Sequence, residues 1–83
     1  MEKRLGFVGV IIHHRKKAAP MVNNILTDFG DLVVGRMGIP QVKKELSVIV
    51  LIVNATTDGL GALTGKLGKV AGVSVKSALS KAE

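Results

Sequence analysis

Leu5-Gly6-Phe7-Val8-Gly9-Val10-Ile11-Ile12 and Leu46-Ser47-Val48-Ile49-Val50-Leu51-Ile52-Val53 are the two stretches from which the fold is read. In each, both alternating sets of side chains are mainly apolar and β-branched residues are abundant. A strand with one wet face would alternate polar and apolar residues. These two read instead as strands covered on both faces, at the centre of a sheet. Residues 31–39 and 73–79 differ. In the latter, Val73, Val75 and Leu79 alternate with Ser74, Lys76 and Ala78, the pattern of a strand with one wet face or at an edge.

Two helices fit between the strands. Ala18, Val22, Ile25, Leu26 and Phe29 recur at helical spacing. Pro20 has no N–H and is expected in the first turn, so the helix is predicted to start near Lys17. The second helix is predicted to begin after Asp58 as N-cap and to bury Leu60, Leu63, Leu67 and Val70, at i, i+3, i+7 and i+10. Gly72 ends that segment. The order β-α-β-β-α-β predicts an α+β, ferredoxin-like sandwich. Its four-stranded antiparallel sheet has the order 4-1-3-2, with both helices on one face. All 83 residues form one domain, since two separate cores would each be too small.

This arrangement creates a mismatch. The helices cover one face of the sheet, yet the central strands are apolar on both. Four strands about 4.8 Å apart and roughly 18 Å long give a face of about 350 Å². At about 25 cal/mol per Å², burying it contributes up to ~9 kcal/mol per subunit before association costs. The free face, or an edge extending it, is therefore expected to pack against another copy, in a homo-oligomer that is a dimer or a tetramer.

Composition narrows the function. The chain is 47% hydrophobic and carries a formal charge of +6 without any Cys. Thiolate metal sites and disulfides are excluded, which fits a cytoplasmic protein. The basic balance raises nucleic acid and anionic ligands as partners. However, only Arg15-Lys16-Lys17 and Lys43-Lys44 cluster, and two Phe without Trp or Tyr leave no platform for stacking bases. No apolar run reaches the roughly 18 residues of a membrane span. Lys3-Arg4 and the apolar run after them imitate a signal peptide, but the run is short and His13-His14-Arg15-Lys16-Lys17 follows at once.

The chemical motifs fall short of catalysis. Residues 59–66, GLGALTGK, imitate a phosphate loop, but Leu60 stands at the first glycine position and Leu67 replaces the magnesium-binding Ser or Thr. Thr64 likewise occupies the third glycine position of a dinucleotide loop. Close helix packing through Gly61, Gly65 and Gly68 is the expectation. His13 and His14 are adjacent, so in a strand they point to opposite sides and do not readily chelate one metal. A small hydrolase of acylphosphatase type would have to use Arg15 and Asn54, without the glycine-rich anion loop. No nucleophile, base and orienter assemble. No catalytic residue, metal ligand or cofactor is expected.

A family resemblance is carried by Met1-Glu2-Lys3-Arg4 leading into the first strand, by Val22-Asn23-Asn24-Ile25-Leu26-Thr27-Asp28-Phe29, and by Arg36-Met37-Gly38-Ile39-Pro40. It continues from Gly61-Ala62-Leu63-Thr64-Gly65-Lys66-Leu67-Gly68 through Lys69-Val70-Ala71-Gly72-Val73-Ser74-Val75-Lys76. The chain resembles the proposed regulators of the iron-only hydrogenase system, small ACT-like proteins related in fold to the C-terminal domain of the nickel regulator NikR. The resemblance implies an ACT fold, oligomerisation and a regulatory role tied to hydrogenase genes. ACT domains often bind small ligands at subunit interfaces near the first strand–helix loop. The corresponding residues here, His13, His14, Arg15 and Lys17, are the candidate ligand-binding set. That loop lacks the glycine usual in ACT amino-acid sites, and the absence of Cys argues against a NikR-type nickel site. No helix-turn-helix or ribbon-helix-helix segment is present. Regulation of transcription would then pass through a regulatory protein partner or a basic surface, and nucleic acid would be reached with a partner's help.

Overall fold

A computed structural model describes residues 2–81. The elements run β1 (Arg4–Ile12), α1 (Arg15–Asp28), a 3-10 turn (Gly30–Leu32), β2 (Val33–Lys43), β3 (Leu46–Ala55), α2 (Thr57–Gly68) and β4 (Val73–Leu79). The sheet order is β2-β3-β1-β4, every neighbouring pair antiparallel. The two strands apolar on both faces are the two central ones, and the two alternating ones are the edges. This is the expected ferredoxin-like topology.

Register assigns each side chain to a face. Val8 lies opposite Leu51, Val10 opposite Ile49, and Ile12 opposite Ser47. These residues turn toward the helices and are buried with Ala18, Val22 and Leu26 of α1 and Leu60, Leu63 and Leu67 of α2. The intervening residues point the other way. Phe7 lies opposite Ile52 and Ala78, Met37 opposite Val50, and Ile39 opposite Val48. No helix covers them, and Leu5, Phe7, Met37 and Ile39 are 59%, 53%, 62% and 52% exposed. The mismatch read from the sequence is thus present in the chain: one face is a closed core, the other an open apolar sheet.

The edges differ. β2 slips register between Val33 and Gly35, leaving Val34 in a bulge at 66% exposure, and slips again between Ile39 and Lys43, around Pro40. Proline, which lacks an N–H, is tolerated there because the strand is an edge. β4 pairs with β1 without a register shift. The second strand runs beyond the expected residue 39: β2 continues to Lys43, and a tight turn at Lys44-Glu45 leads into β3.

Both helix starts depart from expectation. α1 begins at Arg15, so Pro20 lies in its second turn. The proline leaves the Lys16 carbonyl without its i+4 partner, but Lys16 is in the exposed first turn, where water takes that place. The N-cap of α2 is Thr56, whose hydroxyl accepts from Gly59 N at 3.0 Å, and Asp58 lies inside the first turn. A Thr side chain that reaches the third helical N–H sets the start earlier than the acid does. Asp58 there still complements the helix dipole.

The close approach expected at Gly61, Gly65 and Gly68 is also corrected. A Cβ added at any of them meets nothing within 4 Å. The stripe faces away from the core, so its glycines cost helix stability with no packing in return. Gly65→Ala is expected to raise unfolding free energy by about 1 kcal/mol, read from the urea midpoint. A lowered midpoint would mean that another molecule occupies the stripe.

Candidate functional site

Three of the described residues have left-handed backbone: His14 (φ 54°), Glu45 (φ 58°) and Gly72 (φ 81°). They converge at one end of the sheet. Arg15 N donates to Glu45 O at 3.3 Å, and His13 N donates to Gly72 O at 2.7 Å. The β1–α1 junction is thereby tied to the β2–β3 hairpin and to the turn between α2 and β4. A non-glycine residue with positive φ is uncommon and persists where its surroundings hold it. Gly72 has no such freedom to change, because a Cβ would lie 2.9 Å from His13 O.

This junction borders an open groove of about 640 Å³. Ala18 and Met21 of α1 and Val70 and Ala71 of the following turn make its apolar floor. His14, Lys16, Lys17 and Glu45 stand around it. α1 has no acidic residue in its first turn and no side-chain cap, so its positive N-terminal end adds to the lysines. The groove suits an anionic group attached to an apolar body.

The four residues singled out in the sequence do not form one site. His14 and Lys17 reach this groove. Arg15 faces a smaller cleft on the other side of α1, with Ala19, Asn23, Arg36 and Ser47. His13 lies in a shallow depression beside Lys43, Lys44 and Leu46. A helix advances about 100° per residue, so consecutive residues at its start are dealt to different sides. Lys16, Met21, Glu45 and Val70 were missed. Met21 was findable as the residue one turn after Lys17, whereas Glu45 and Val70 arrive from distant segments without a local signal.

Arg15 and Asn54, the pair weighed for hydrolase chemistry, are kept apart. Asn54 lies opposite Leu5, whereas Arg15 follows Ile12 at the far end of the same strand. Seven residues of strand at about 3.3 Å each separate those ends by roughly 23 Å. Among the described residues no three His, Asp or Glu gather as a metal-binding group. No helix is long and apolar enough to cross a membrane.

Known proteins share this architecture. The ACT domain of the GTP pyrophosphokinase of Chlorobium tepidum superposes with a TM-score of 0.77 at 19% identity, over 92% of this chain and 99% of that one. A nitrogen regulatory PII-like protein of Thiomonas intermedia K12, bound to ADP, AMP and bicarbonate, superposes at 0.54 with 15% identity, over 94% and 91%. These two show the fold alone. None of the curated proteins matches this sequence. The uncharacterized protein TM1266 of Thermotoga maritima is 37% identical, with a TM-score of 0.89, over 96% of this chain and 100% of that one. The TM1266-like family profile, described as "Iron-only hydrogenase system regulator, putative", matches residues 4–77, and the chain belongs to that family.

Proposed function

We propose that this protein is a ligand-sensing regulatory module of the iron-only hydrogenase system, working as a homo-oligomer, with its ligand in the groove bordered by His14 and Lys17. The observation that carries the reading is the junction of His14, Glu45 and Gly72. Left-handed residues from three segments meet beside a groove with an apolar floor and a cationic rim. A ligand drawing on all three segments would tie α1, the β2–β3 hairpin and β4 together, which is a means of reporting its presence. The PII-like neighbour, which holds nucleotides, is one regulator built on this fold. The family description supplies the hydrogenase setting.

The open sheet face supports the homo-oligomeric part. Lys76 and Lys43 are the charged residues of the described strands directed to that face, and both sit on edge strands. A face so poor in charge fits an equally apolar surface, and the same face of a second copy supplies one by two-fold symmetry. A regulatory protein partner would then use the remaining surfaces. Native mass spectrometry of the purified protein tests both parts. The expected result is a multiple of the 8.7 kDa chain mass carrying a small anionic molecule. A bare 8.7 kDa species at ~10 μM, below which standard-size interfaces commonly hold, would overturn the reading.

A further inference from the structure

We infer that the cleft on the opposite side of α1, walled by Arg15, Arg36, Asn23 and Ser47, binds a small oxyanion of phosphate type. It shares no lining residue with the groove of the proposed ligand and does not depend on that reading. Three observations carry it. The first is uncompensated charge. Arg15 from α1 and Arg36 from β2 line one cleft that contains no Asp or Glu. Among the described residues the sole ion pair is Arg4 with Glu2. Two guanidinium groups brought to one cleft without an anion repel each other, and a shared anion reverses that term.

The second is Ser47. It is 5% exposed, the only buried polar residue among those described, and it interrupts the otherwise apolar helix-facing set of β3. Its side chain lines the cleft, and its hydroxyl has no hydrogen-bond partner among the described residues. The hydroxyl opens onto the cleft, so a ligand oxygen there can pair with it.

The third is preorganisation. Arg36 Nη2 donates to Asn23 Oδ1 at 2.8 Å. That bond holds the guanidinium against α1 while its other N–H groups remain free to donate. Arg15 is the first residue of α1, so the helix dipole adds to the positive potential there. The cleft holds about 180 Å³, below the roughly 300 Å³ at which drug-sized ligands begin to fit. Ile12 and Ile49, on the helix side of the sheet, form further wall. Forked guanidinium donors match phosphate and carboxylate geometry. Two forks and a hydroxyl supply more donors than one carboxylate can accept in a single plane, which favours a tetrahedral oxyanion.

The test follows thermal unfolding and amide chemical shifts of the whole protein during titration with sodium phosphate, sodium acetate or sodium chloride at equal ionic strength. Phosphate is expected to raise the unfolding midpoint above that in chloride and to shift the amides of Arg15, Arg36 and Ser47, with acetate weaker. Arg36→Gln is expected to weaken phosphate binding at least ~10-fold and Ser47→Ala several-fold. Lys69→Gln, at the exposed end of α2, is expected to keep the wild-type response. Equal midpoints in phosphate and chloride, an acetate response as large as that to phosphate, or a phosphate response that survives Arg36→Gln but not Lys69→Gln would each overturn the assignment.

Discussion

Phe7→Glu is expected to leave the fold standing and to dissociate the proposed homo-oligomer. Phe7 is on central strand β1, between Ile52 of β3 and Ala78 of β4, on the open face. In a lone subunit it is 53% exposed, so a carboxylate there is solvated and costs the monomer little. Against a second apolar face the same carboxylate would be buried without a partner. Such burial costs several kcal/mol. Taken as ~4 kcal/mol, it raises the dissociation constant about 1,000-fold. Light scattering at about 10 μM, where a standard-size interface holds, should then give the 8.7 kDa monomer, with unchanged far-UV circular dichroism. Met37→Glu, on β2 of the same face, should behave alike. An unaltered oligomeric mass in both variants would place the subunit contact elsewhere.

The second large effect is expected at Gly6. A Cβ there would collide with the Ala78 carbonyl and come within 2.6 Å of Leu79 Cδ2 and 3.0 Å of Leu79 Cα. Two of these obstacles are backbone, and Gly6 is itself a ladder partner of Leu79. Relief requires β4 to lift from β1 at this end, where Ser80 N donates to Leu5 O at 2.8 Å. Gly6→Ala is expected to cost about 3 kcal/mol, the upper part of the range for overpacking. For a domain of this size that lowers the melting temperature by roughly 12–24 °C. Gly9→Ala is the internal control on the same strand. Its Cβ meets only Lys76 O at 3.8 Å. Melting temperatures within a few degrees for the two variants would contradict the steric account.

What could be read from residues alone depended on range. Hydrophobic alternation is local and survives folding, so the doubly apolar runs of β1 and β3 gave the sheet order. β4 betrayed its edge position through Ser74 and Lys76. Helix starts were less legible, because hydrogen-bond geometry outweighs residue preference there. Thr56 outcompeted Asp58, and one missing donor at Pro20 was tolerated near an exposed end. The glycines of α2 misled because small residues permit close approach without requiring it. For the groove, the run from His13 to Lys17 pointed to the right end of the molecule, but a helix distributes consecutive residues around its axis. Glu45 and Gly72 joined the site through long-range backbone bonds, which no spacing rule contains. Ser47 did leave a trace: it is the lone hydroxyl in an apolar run.

The unequal edges of the sheet bear on how far assembly can go. β2 is broken by the bulge at Val34 and by Pro40, so it offers no continuous row of donors and acceptors to a new strand. β4 is regular from Val73 to Leu79. A sheet that can be lengthened from one side alone joins one neighbour edge to edge and then stops, because the far sides of the joined pair are both of the broken kind. Contact through the apolar face closes in the same way on a two-fold axis. Each contact alone stops at a pair, and the two together close as a tetramer of four chains where their two-fold axes meet.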